Sequence, residues 1–145
     1  MKYLWIALLL VVSASCSNGP EPIAYGKDVC AYCRMTIVDQ KFGAEVLTRK
    51  GRNYKFDDLH CLAAFDKEGT VPAADRAQVL FIDYETPHGF IDAKKAVLLQ
   101  GGTLHSPMNG NIAAFATEAA AEAASKITEA HRTQWTGILP NQTQR

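Results

Sequence analysis

Apolar and polar positions along this chain change period several times, and each change marks an element. From Ala44 to Thr48, and again from Asn53 to Phe56, apolar side chains alternate with polar ones around RKGR, which predicts a β-hairpin. Asp57 or Asp58 then suits a helix N-cap, Leu59, Leu62, Ala63 and Phe65 follow at helical spacing, and Gly69 suits the stop. VPAAD reads as a connector, Gln78 to Tyr84 as a strand and ETPHG as a turn. Lys95 to Gln100 predicts another strand, GGTLHSPMNGN an irregular loop, and IAAFA a short strand. Thr117 caps an Ala- and Glu-rich helix, EAAAEAASKITEAH. The pattern is α+β, with two small strand-strand-helix lobes over about 27–72 and 78–132 inside a domain spanning 27–139. Met35 and Met108 each precede a strand-helix unit, so the lobes echo each other. Residues 140–145 read as a disordered tail.

The N-terminus has a different character. Lys2, the apolar run LWIALLLVV and the small residues SAS make a secretory signal over 1–15. That run is well short of the roughly 18–20 apolar residues a membrane span needs. VSASC resembles a bacterial lipoprotein box, with Ser13 where such boxes usually carry Leu; that reading makes Cys16 the lipidation site and the protein periplasmic and lipid-anchored to a bacterial membrane, against ordinary signal cleavage that leaves Cys16 a bystander. Residues 16–26, with SNGPEP, read as a tether. Losing Lys2 leaves 14 basic against 15 acidic residues, a net charge of about −1. No basic excess exists to hold phosphate backbones, so nucleic-acid binding is disfavoured.

Setting Cys16 aside leaves Cys30, Cys33 and Cys61, an odd number for an exported chain. A disulfide between Cys61 and Cys30 or Cys33 is one arrangement. A thiol-disulfide oxidoreductase built on Cys30 and Cys33 is another, but it wants the pair at a helix N-terminus. The segment RMTIVDQKF that follows is β-branched rather than helical. Zinc held by Cys30, Cys33, Cys61 and His60 meets a geometric objection, because the adjacent His60 and Cys61 point in different directions near a helix start. The soft-metal arrangement uses Cys33 and Met35, which share a face in an extended segment, together with Met108 in the SPMNG loop. Thiolate plus thioether favours Cu(I) over zinc, magnesium or calcium. Cys30, Cys61, His60 and His105 are lesser candidate donors. Nothing supports conventional hydrolysis: the chain has no Gly-x-Ser-x-Gly elbow and no Gly-rich phosphate loop, and no catalytic residue is assigned. Organomercurial cleavage would need two cysteines and a carboxylate converging, and the spacing does not place Asp57 or Asp58 there.

VSASC, CAYCRM, YKFDDLHCLAAF and SPMNGNIAAF together resemble the NosL family, lipoprotein copper chaperones of nitrous oxide reductase assembly. Two positions depart from its pattern: Arg34 and Asn109 stand where members usually carry Gly. The resemblance implies two lobes similar to the organomercurial lyase-like fold. It also implies a Cu(I)-binding protein, not an enzyme, with Cys33, Met35 and Met108 as ligands. Its implied partners are a membrane ABC-type maturation complex and, through it, nitrous oxide reductase with its copper-sulfide centre.

Overall fold

The predicted hairpin forms from β1 (Ala44–Thr48) and β2 (Asn53–Phe56), with Glu45 opposite Lys55 and Val46 opposite Tyr54. In the computed structural model, which describes residues 19–135, two antiparallel sheets and two helices follow. The signal over 1–15, Cys16 and the tail over 140–145 lie outside the described residues.

Helix α1 (Leu59–Glu68) buries Leu59, Cys61, Leu62, Ala63 and Phe65, and it stops at Gly69 in the left-handed region. A short 3₁₀ turn at Ala73–Asp75 leads into β3 (Arg76–Ile82), and β4 (Phe90–Asp92) follows. Here the two-lobe partition is corrected. The strand predicted at Gln78–Tyr84 begins at Arg76 and pairs with β1, placing Phe81 opposite Ala44 and Val79 opposite Val46. The first sheet therefore runs β2-β1-β3-β4. All five residues of β1 are buried, so both edges of its backbone need partners, and β2 supplies only one. The second sheet, β6-β5-β7, holds β5 (Val97–Gln100), β6 (Ile112–Phe115) and β7 (His131–Thr133). Helix α2 (Glu118–Thr128) is capped by Thr117, whose side chain accepts from the Ala120 N–H. It ends three residues before the predicted His131. Glu129 turns left-handed, and His131–Thr133 pairs with β5. The sheets meet where the Tyr84 N–H donates to the Ala114 carbonyl at 2.8 Å, beside a parallel bridge from Asp83 to Ala114.

The predicted tether is shorter than 16–26, because residues 19–28 are strapped across the first sheet. Asn53 Nδ2 donates to the Gly19 carbonyl, Lys55 Nζ donates to the Pro22 carbonyl, and Ile23 is buried in the core. Lys55 also pairs with Asp28 at 2.8 Å and with Glu21 at 3.6 Å. The strap covers Glu45, which is fully buried and accepts the Glu21 N–H on Oε1 at 3.0 Å. Its Oε2 has no hydrogen-bond partner among the described residues. Burial pushes the Glu45 carboxyl above the usual range, against the pull of the Glu21 N–H and Lys55.

Two loops complete the frame. Cys30 to Met35 form a turn closed by a bridge between Val29 and Thr36, with the Cys30 N–H donating to the Met35 carbonyl and the Arg34 N–H to the Cys30 carbonyl. The Ala31 N–H pins this turn to Lys55 of β2. The SPMNGN loop is held by Asp58, which is also the α1 N-cap. Its Oδ1 accepts the His60 N–H at 2.8 Å, and its Oδ2 accepts the Ser106 hydroxyl at 2.6 Å and the Met108 N–H at 2.8 Å. Ser106 and Asn111 exchange a further pair of hydrogen bonds. Gly110 packs so closely that a Cβ there would meet the His60 Cβ at 2.6 Å and Asp58 Oδ1 at 2.7 Å. Arg34 (φ 66) and Asn109 (φ 55) are both left-handed, the region that glycine enters without strain.

Asp58→Ala removes a helix cap and strands two donors, so chemical denaturation should show a loss of about 2–4 kcal/mol. Arg34→Gly should raise stability by about 0.5–1 kcal/mol, because an L side chain in the left-handed region is strained. Asn109→Gly should gain less, since asparagine tolerates that region. For Glu45, the folded chain holds the proton more tightly than the unfolded one. Its contribution is therefore full below about pH 4.5, the ordinary value, and falls as pH rises through the raised folded value. Thermal melts across that range should show the fall removed in Glu45→Gln.

Candidate metal centre

Three cysteines distant in sequence meet at one point. Cys61 lies in the first turn of α1 and faces the core, while Cys30 and Cys33 come from the turn pinned to β2. Their sulphurs and one carboxylate oxygen of Asp57 all lie within 4.8 Å of one another. Cys30, Cys61 and Asp57 are buried; Cys33 is half-buried at the mouth. Cys33 Sγ is 3.6 Å from each Asp57 oxygen. All three cysteines are free, so none of the disulfide arrangements is formed. Residues 30–35 form a turn rather than a helix start, so the pair lacks the helix dipole that a dithiol oxidoreductase uses.

Asp57 overturns the spacing argument that kept carboxylates away from the cysteines. Of the two adjacent aspartates, Asp58 caps the helix and Asp57 turns toward the sulphurs. The doublet itself was the available signal: one N-cap position takes one side chain, and the other carboxylate needs a different role.

The electrostatics of the cluster are shaped by its own thiols and carboxylate. A hydrogen bond from the Cys61 thiol, helped by backbone N–H groups of Asp57, Cys33 and Tyr32 and opposed by burial, brings the Cys30 thiol down to about 6. The same contact pushes Cys61 far up, with burial and the charges on Cys30 and Asp57 adding to it. Burial raises Cys33, as do Cys30 and Asp57, while the Met35 N–H aimed at its sulphur opposes them. One thiolate is thus favoured and further ionisation resisted until a cation arrives. A metal ion bound by these thiols would displace their protons and bind more tightly as pH rises.

The other predicted donors are placed differently. Met35 is 56% exposed beside the mouth, among the exposed apolar residues Val29, Tyr32 and Val38. Met108 is partly buried against the same core as the cysteines, its N–H held by the neighbour of Asp57. His60 and His105 are exposed and stand outside the thiol cluster. A groove of about 680 Å³ beside the turn is lined by Tyr32, Arg34, Arg52, Tyr54 and Lys55, and another of about 420 Å³ by Val79, Ala93 and Trp135. Neither groove is lined by a cysteine.

Comparison with curated protein sequences gives no match. Among solved structures, the fold is similar to the crystal structure of the copper chaperone NosL from Shewanella denitrificans, with a TM-score of 0.69 and 20% identity, covering 88% of this chain and 98% of that one. The NosL family model matches residues 23–134, from the buried Ile23 of the strap to the last residues of the second sheet, and the chain belongs to the NosL family.

Proposed function

We propose that this protein is a Cu(I) metallochaperone, a carrier rather than an enzyme. The observation that carries this reading is the half-buried Cys33 between two buried thiols and the exposed Met35. Such a donor gradient suits a cargo that must be held and then surrendered. Cys33 thiolate supplies charge, with Cys30 and Cys61 behind it as further sulphur donors. Met35 and Met108 supply neutral thioethers, which soft Cu(I) accepts and which exchange readily. An incoming thiolate, thioether or imidazole from an acceptor approaches over the apolar rim and displaces the methionines stepwise.

A lipid on Cys16 would hold the protein on the periplasmic side of a membrane, raising its effective concentration at a membrane acceptor. Within this reading the acceptor is an ABC-type maturation complex, and the copper is destined for the copper-sulfide centre of nitrous oxide reductase.

The test is an anaerobic Cu(I) titration of the reduced protein against a chromophoric Cu(I) chelator. Cys33→Ser should weaken binding by about 100-fold or more, and Met35→Leu and Met108→Leu by about tenfold each. Failure to compete with the chelator, or binding indifferent to both methionines, overturns the reading.

A further inference from the structure

A Cu(I) carrier needs sulphur, yet this cluster also contains a buried carboxylate. Cu(I) is satisfied by thiolate and thioether, and an aspartate oxygen is a hard donor it has little use for. A divalent ion of borderline softness does use one: zinc takes thiolate, imidazole and carboxylate ligands in closed tetrahedral sets of four. The zinc arrangement weighed from sequence was disfavoured because His60, adjacent to Cys61, is a poor fourth donor. The structure supplies Asp57 in its place.

We infer that Cys30, Cys33, Cys61 and Asp57 form a tetrahedral three-sulphur, one-oxygen site for a divalent thiophilic cation such as Zn(II), occupied in competition with Cu(I) because both ions use Cys33.

The dimensions agree with this assignment. Metal–sulphur bonds of about 2.3 Å and metal–oxygen bonds of about 2.0 Å at tetrahedral angles separate sulphur from oxygen by about 3.5 Å, and sulphur from sulphur by about 3.8 Å. Cys33 Sγ lies 3.6 Å from the Asp57 oxygens, and all four donors fall within 4.8 Å, so closure needs only small movements. Within this four-donor set charge selects the divalent ion: three thiolates and a carboxylate carry four negative charges, of which a divalent ion offsets two and a monovalent ion one. Three of the four donors come from rigid surroundings: Asp57 and Cys61 at the start of α1, and Cys30 in the turn hydrogen-bonded to β2. Uptake of the divalent ion displaces the thiol protons without any redox change. Met35 and Met108 take no part in this set, so the two ions are told apart by which variants weaken them.

Titration of the reduced protein with Co(II) under anaerobic conditions, followed by Zn(II), tests the assignment. One equivalent of Co(II) should give the intense visible bands of a tetrahedral sulphur-rich site, and Zn(II) should abolish them. Asp57→Asn, shown folded by circular dichroism without metal, should weaken Zn(II) at least tenfold while changing Cu(I) affinity by a much smaller factor. Met35→Leu should do the reverse, and added Zn(II) should lower the apparent Cu(I) affinity. An octahedral or absent Co(II) spectrum, or Asp57→Asn leaving Zn(II) unchanged or weakening both ions equally, overturns the inference. The Cu(I) titration of the methionine variants reports on the carrier role separately, so either can fail alone.

Discussion

One carboxylate holds the two halves of the molecule in register. Asp58 is fully buried and accepts from a helix N-terminus forty-eight and fifty residues away from its other two donors, Ser106 and Met108. Burying a carboxylate is costly unless it is hydrogen-bonded, and here three protein donors meet it. Remove any one and the remaining geometry loosens at the point where the SPMNGN loop touches α1. The position of the Met108 backbone, the start of α1 and hence the orientation of Cys61 all follow from that single side chain.

The neighbouring Asp57 shows how much a one-residue shift changes chemistry. Two identical side chains, adjacent in sequence, take opposite duties because a helix start sends them in different directions. One organises backbone; the other adds negative charge to a cluster of thiols. The sulphurs are drawn together by tertiary packing rather than by any local motif, since Cys61 arrives on a helix and Cys30 and Cys33 on a turn anchored to β2. Backbone amides aimed at Cys30 and Cys33 offset part of the cost of holding charge there.

Locally encoded features were readable from sequence. The hairpin around RKGR, the Thr117 cap and the Gly69 stop each depend on residues a few positions apart, and each appears where the period placed it. Partner choice was not readable. That β3 completes β1 depends on both edges of a fully buried strand being satisfied, information spread over thirty residues. The C-terminal end of α2 was overestimated because Ala- and Glu-rich sequence favours helix, whereas pairing with β5 claims His131–Thr133. Among the site residues, the thiols were visible as chemistry but not as a cluster. Asp57 was hidden because its neighbour could explain it. Arg34 and Asn109 stood out as positions where the resemblance implied glycine, and both are left-handed, the backbone region glycine enters most easily.

With a lipid on Cys16, the strap over the first sheet would limit how far the protein can wander. Because Gly19 is already fastened to Asn53, only Ser17 and Asn18, three Cα-to-Cα steps, separate it from Cys16. Fully stretched, that is about 10 Å. A lipid at Cys16 would therefore moor the domain against the headgroups on a very short line, instead of letting it sweep a hemisphere as a long linker would. An acceptor would have to present its own ligands within a thin layer above the bilayer, and a folded protein so closely moored would meet it in few orientations. Lengthening the line, rather than altering any donor atom, would then be enough to change who receives the cargo.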